Sequence, residues 1–236
     1  MEKVVLITGA SGGMGTALAN LFAGQNVKMA LHYNSNPITI EESDSIAHFQ
    51  ADLTKESEAL GLVENVVKRF GRIDVLINNA GISKSSISWK TDADAWRATM
   101  AINLDAAFYT SKGVTNNMRK QNSGRIINIS SVVAQTGFIG TAAYAASKAG
   151  LIGLTKTLSK ELISSGISVN VLALGYFSVG MIDDVPEELR KEVINSIPAK
   201  QLGDPATVFK TIQWLMSDEG AYVTGQTINL NGGLYS

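Results

Sequence analysis

The sequence predicts an α/β fold, a doubly wound parallel sheet of about seven strands in a single domain spanning residues 1–236. Three observations predict it. Short apolar, β-branched runs alternate with amphipathic stretches along the whole chain. The first run, Val4-Val5-Leu6-Ile7, leads straight into a glycine-rich turn and then a helix-like segment. No low-complexity linker or internal repeat interrupts 236 residues, a length suited to one domain.

Strands are expected at 4–8, 27–33, 74–77, 125–130, 167–172 and 226–230, with a weaker one near 46–50. Continuous Val/Ile/Leu runs of this kind are buried on both faces, as parallel strands are. Helices are expected at 14–23, 55–69, 92–119, 142–165, 186–195 and 205–217. Gly166, after Ser164-Ser165, ends one helix, since glycine alone reaches the left-handed conformation without penalty. Asp204-Pro205 opens another, with Asp as the cap and Pro at the first helical position. Between Tyr33 and Asp52 there is room for a loop and a strand but not for a full helix. Asn34-Ser35-Asn36-Pro37-Ile38-Thr39-Ile40-Glu41-Glu42 fills that space, so the helix between strands two and three is expected to be shortened or absent.

Composition excludes several kinds of function. Net charge is −1 and the pI about 6.1, with no basic footprint for nucleic acid. There are no cysteines, which rules out disulfides, thiol catalysis and thiolate metal sites. His32 and His48, the only histidines, lack metal-ligand spacing, and no metal site is expected. No apolar run reaches the ~18–20 residues of a membrane span, and Met1-Glu2-Lys3 is too short a lead for a signal peptide. A soluble cytoplasmic protein is the expectation.

The chemistry lies in four places. Thr8-Gly9-Ala10-Ser11-Gly12-Gly13-Met14-Gly15 stands between a strand and a helix, the context of a phosphate cradle. There the glycines admit close backbone approach and the helix N-terminus offers N–H groups. Tyr144 and Lys148 stand four apart in an Ala-rich helix, hence on one face. An adjacent ammonium is expected to lower the phenol's pKa and fit it for proton transfer. Ser131 ends the run Ile126–Ser131, at the carboxyl edge of the sheet where ligands bind. Asn103 lies inside a helix-like stretch, where Asn is a poor residue unless it has a task.

Together these features resemble the short-chain dehydrogenase/reductase family, whose sheet is of the Rossmann type. The resemblance covers essentially the whole chain. It rests on Thr8-Gly9-x-x-x-Gly13-x-Gly15, Asp52 in Ala51-Asp52-Leu53, Asn78-Asn79-Ala80-Gly81, Asn103, Ser131, Tyr144-x-x-x-Lys148 and Gly225 to Gly233. Within the family the pattern is similar to the β-ketoacyl-acyl carrier protein reductases and acetoacetyl-CoA reductases. The resemblance implies a catalytic set of Asn103, Ser131, Tyr144 and Lys148. Tyr144 would protonate the carbonyl oxygen and Ser131 would position it. Lys148 would assist Tyr144 and bond the nicotinamide ribose, and Asn103 would hold a water of a proton relay.

The resemblance also implies a nicotinamide cofactor. Its candidate contacts are Gly9, Ser11, Gly12, Gly13, Met14, Gly15, His32, Asn34, Asp52, Leu53, Asn79, Ala80, Gly81, Tyr144, Lys148, Gly175 and Phe177. No acid ends the second strand to meet a ribose 2′-OH, which favours NADP(H) over NAD(H). Ser11, Asn34, Ser35 and His32 would then receive the 2′-phosphate. Two departures stand out: Leu174 and Val179 occupy positions where the family usually has Pro and Thr.

Residues 177–200 would form a substrate lid whose apolar face includes Met181, Ile182, Val185, Leu189, Val193 and Ile197. Asp183, Asp184, Glu187 and Glu188 are expected to cap a helix at Pro186. Small residues on helices 92–119 and 142–165, including Ala106, Ala107, Gly113, Ala142, Ala145, Ala149, Gly150 and Gly153, point to a homotetramer. The expected substrate is a 3-oxoacyl thioester on acyl carrier protein or CoA. Another small alcohol or ketone (sugar, steroid, cyclic ketone) and a cofactor-binding regulatory protein are the alternatives.

Overall fold

Strands too apolar to face water on either side must be covered on both, and the chain does so with helices. The computed structural model describes residues 2–180, 182 and 185–236. In chain order the main elements are β1 (Lys3–Ile7), α1 (Gly13–Ala23), β2 (Val27–Tyr33), β3 (Ile46–Gln50), α2 (Glu56–Phe70) and β4 (Val75–Asn78). Then come α3 (Ala93–Met100), α4 (Ala106–Gln121), β5 (Gly124–Ser131), α5 (Val133–Thr136), α6 (Ala142–Leu162), β6 (Ile167–Leu174), α7 (Glu187–Ser196), α8 (Pro205–Met216) and β7 (Thr227–Leu230). The strands form one seven-stranded sheet in the order β3-β2-β1-β4-β5-β6-β7, and every pairing is parallel. The order reverses between β1 and β4, which opens a crevice at their carboxyl ends.

One face packs α1 and α8, with Phe22 and Phe209 edge to face at 4.9 Å. The other packs α2, α4 and α6 through Leu62, Val63, Val66, Val114, Met118 and Leu162. The local signals act as expected. Asp204 caps α8 by accepting from the Ala206 N–H at 2.8 Å. Gly166 takes φ +72 behind the helical turn at Ile163–Ser165. Glu187 and Glu188 open α7, where their charge suits the helix dipole; Met181, Asp183 and Asp184 lie outside the described residues.

No helix joins β2 to β3. Pro37 cannot continue a helix, and residues 34–45 run as an open strap instead. Ile38 and Ile40 pack on the α1 face of the sheet in place of helical side chains. Glu42 accepts from the His48 N–H at 2.7 Å, which satisfies an outward amide of the edge strand β3.

Two expectations change. The helix expected over 92–119 is interrupted by a π-helical turn at Ala101–Asp105, with Asn103 at its centre. Such turns widen a helix by one residue and mark functional sites. The small-residue stripe is also partly used within the chain. Ala106 and Ala107 are buried, Gly113 abuts Val63 and Leu60, and Gly150 abuts Leu104. Ala142, Ala149 and Gly153 remain exposed.

Candidate active site

The crevice is built first from its backbone. Gly9 has φ +64, and a Cβ on it would stand 2.8 Å from the Ala80 Cα. A Cβ on Gly15 would stand 2.1 Å from the Gly9 carbonyl oxygen. Glycine is therefore required at both. Thr8 Oγ1 accepts from the Asn79 and Ala80 N–H groups at 3.0 and 3.1 Å. Asn79 Nδ2 donates to the Thr8 and Gly9 carbonyls at 3.0 and 3.1 Å. These bonds bind the ends of β1 and β4 across the switch point. No side chain caps the first turn of α1, whose N-cap is Gly12. That leaves the helix N-terminus built for an anion. Ser11 and Met14 are half-buried and Gly12 and Gly13 exposed along this loop.

The polar corner lies two strands away. Tyr144 is buried in the first turn of α6, and Ser131 at the end of β5 lies close enough to influence its phenol. Lys148 is buried on the same face, and its Nζ donates to the Ile129 carbonyl at 2.8 Å. Burial pulls the Lys148 ammonium down to about 8. Burial also pushes the Tyr144 phenol above its ordinary value. The expectation that Lys148 draws the phenol down is thus corrected: loss of water around the would-be phenolate sets the direction, and Ser131, not Lys148, acts against it. Asn103, 1% exposed, clamps the loop after β4. Its Oδ1 accepts from the Ile82 N–H at 2.8 Å, and its Nδ2 donates to the Ile82 carbonyl at 2.9 Å. A Cβ on Gly81 would stand 3.0 Å from Asn103 Oδ1 and 3.3 Å from Lys148 Nζ. Asn103, Lys148 and Gly81 therefore meet at one point. The structure brings all four candidate catalytic residues into one corner beside the glycine-rich crevice.

The short chain dehydrogenase family model matches residues 3–190. The chain is 37% identical to the 3-oxoacyl-[acyl-carrier-protein] reductase of Staphylococcus epidermidis, over the full length of both. It is 39% identical to that of Thermotoga maritima, across 98% of this chain and 97% of the relative. With the Vibrio cholerae reductase it shares 36%, across 99% and 97%. The chain belongs to the short-chain dehydrogenase family. It is accordingly an oxidoreductase, of the ketoreductase kind.

At the adenosine end the structure corrects one expectation. His32 is 2% exposed; its Nδ1 accepts from the Gly9 N–H at 3.1 Å and its Nε2 donates to the Ala51 carbonyl at 3.0 Å. Burial lowers its pKa and keeps it neutral. With both nitrogens engaged, His32 is a strut under the glycine loop and not the phosphate contact expected. Asp52 is half-buried and accepts from Thr54 N and Oγ1, which turns the chain into α2; Leu53 is buried beneath it. The Asn34 carbonyl accepts from Gln50 Nε2 at 2.8 Å.

The segment after β6 explains both family departures. Leu174 extends β6, paired to Ser131 on one side and Leu230 on the other. Val179 packs into the α1 core, and Gly180 approaches the glycine loop so closely that a Cβ on Gly13 would stand 2.4 Å from its Cα. Gly175 abuts Asn231, and the Phe177 ring is buried under Gly203. Only the backbone of Phe177 is left to face a cofactor. Of the expected lid face, Ile182 and Ile197 are buried on the body while Leu189 is exposed.

One group of residues escaped the sequence reading. Asn78 is buried at the end of β4 and donates to Asn128 Oδ1 at 2.9 Å. Thr110 Oγ1 donates to Asn78 Oδ1 at 2.7 Å, and Asn128 Nδ2 donates to Thr155 Oγ1 at 2.8 Å. The network ties β4, β5, α4 and α6 directly beneath the polar corner. Its signal was the Asn within the apolar run Ile126-Ile127-Asn128-Ile129.

Proposed function

We propose that this chain reduces the ketone of a 3-oxoacyl thioester, on acyl carrier protein or CoA, to a secondary alcohol with NADPH. The observation that carries the chemistry is the buried Ser131–Tyr144–Lys148 cluster beside an uncapped helix N-terminus. The thioester class is supported by full-length likeness to reductases of that name.

The residues present fit a dinucleotide. Gly13, Met14 and Gly15 offer first-turn amides to a diphosphate, Asp52 an acceptor to the adenine, and Asn34 and Ser35 polar groups near a 2′-phosphate. Ala80 and Gly81 would line the adenosine side, and Lys148 the nicotinamide ribose. When bound, the cofactor supplies the hydride. The protein's part is the proton and its placement. Ser131 Oγ bonds the substrate carbonyl oxygen and Tyr144 Oη gives it a proton. The phenol is protonated at neutral pH, the form that proton donation needs. Lys148 then returns a proton to the phenolate. Because this requires the ammonium, turnover is expected to fall as pH rises through about 8.

We also propose assembly into a homotetramer, supported by the exposed Phe108, Ala149 and Gly153 on α4 and α6. Ala107, being buried, is no probe of that interface. A cytoplasmic setting is part of the same reading. Among the described residues no helix is long and apolar enough to cross a membrane.

The test is NADPH consumption with acetoacetyl-CoA, run beside cyclohexanone, a steroid ketone and a ketose, and repeated with NADH. Preferential turnover of the thioester with NADPH supports the reading. Preference for a simple ketone or for NADH overturns it.

A further inference from the structure

The buried hydroxyl of Ser147 takes no part in the proton transfer just described, yet it lies at the centre of that corner. Ser147 is 0% exposed and sits between Tyr144 and Lys148 on α6. Its Oγ–H donates to the Tyr144 carbonyl at 2.7 Å. A hydroxyl has one proton to give, so its remaining capacity is as an acceptor, and Asn103 Nδ2 donates to it at 3.0 Å. The orientation of the Asn103 amide is not arbitrary. Ile82 offers an N–H to one end and a carbonyl to the other, and turning the amide over would set donor against donor. Asn103 Nδ2 then has two N–H groups, one spent on Ile82 and the other on Ser147.

The consequence is mechanical. Asn103 rides on the π-helical turn at Ala101–Asp105, and Tyr144 and Lys148 ride on α6. Ser147 hydrogen-bonds both bodies. The link matters because Asn103 Oδ1 and Lys148 Nζ converge on the same point beside Gly81. If the two helices slide, amide oxygen and ammonium part. α6 is held on its other side by Ser130, whose Oγ donates to the Lys148 carbonyl at 2.8 Å.

We propose that Ser147 is a positioning residue for proton return, holding the Asn103 amide against α6 so that Asn103 and Lys148 keep their mutual geometry. This rests on the reading of Tyr144 as proton donor. No covalent step is added: Tyr144 loses a proton to the carbonyl oxygen, Lys148 restores it, and solvent restores that of Lys148.

Ser147→Ala is expected to lower kcat about tenfold, the size of one buried hydrogen bond, with the NADPH Kd within about twofold of the parent. The solvent deuterium isotope effect on kcat should rise, because proton return becomes slower relative to hydride transfer. Loss of fold integrity alone would not raise it. Asn103→Ala breaks the same link, so the double variant should be little worse than the poorer single one. Ser147→Cys keeps the volume but is a poor acceptor, and should move the isotope effect in the same direction if the Ala variant does not fold. An unchanged kcat and isotope effect in Ser147→Ala, or in Ser147→Cys where that is the variant that folds, overturns the proposal. Full additivity with Asn103→Ala does so as well. Tyr144→Phe is assayed alongside: if it still turns over, the reading of the site fails and this inference with it, whereas an inactive Tyr144→Phe with a fully active Ser147→Ala removes the inference alone.

Discussion

The polar corner and the adenosine edge sit on the same sheet and are built in opposite ways. Around Tyr144 and Lys148, helices cover the sheet and buried polar groups are paired: Asn78, Asn103, Asn128, Ser130 and Ser147 each have named partners. At β2 and β3 a strap replaces a helix, Asp52 is half-buried, Asn34 and Ser35 are at the surface, and the buried His32 props the glycine loop. Saturated buried networks hold a geometry, because leaving one group unpartnered is costly. An exposed edge tolerates change and sets affinity. Substitutions at the corner are therefore expected to act on rate and stability, and those at the edge on cofactor choice.

The largest expected effect is that of Tyr144→Phe, a loss of about 10²–10⁴-fold in turnover, as for removal of a general acid. NADPH binding, read by fluorescence titration, should be nearly retained. More than a tenth of the parental rate would break the contrast at once. Next is Asn128→Ala, which removes one of the acceptors of Asn78 Nδ2 and the donor to Thr155 Oγ1. A loss of about 1–3 kcal/mol is expected in urea unfolding; a change of a few tenths would mean that the network is not rigid.

The third prediction uses the buried His32. Its folded pKa lies below the ordinary 6.5, so the unfolded chain binds a proton first. Stability from this group is complete above 6.5 and is lost as pH falls below it. Thermal melts between pH 7.5 and 5.5 should show that slope, and His32→Asn should flatten it. An equal slope in both proteins would assign the acid sensitivity elsewhere. The smallest effect is that of Asn34→Arg at the edge. It should tighten NADPH over NADH by roughly twofold to fivefold, as one exposed charge contact does. No change in that ratio would move the 2′-phosphate away from the strap.

The sequence by itself determined the alternation of strands and helices, the glycine turn, the shortened or absent helix at Pro37 and the placing of Tyr144 and Lys148 on one helix face; Ser131 and Asn103 joined them as a set through the family resemblance. The first four features were legible because each rests on local chemistry: side-chain periodicity, glycine conformation, proline's missing N–H and the four-residue repeat of a helix face. Tertiary structure decided the rest. Whether His32 is a ligand or a strut depends on Gly9 and Ala51, which come from other elements. Whether the Tyr144 phenol moves up or down depends on how much water β5 and α6 exclude. The Asn78–Asn128 network and the Ser147 link join residues 50 and 44 positions apart, and no local pattern carries a contact of that span. Hydrogen bonds between distant segments exist only once the sheet has brought those segments together, and burial fixes the charge state of whatever they enclose.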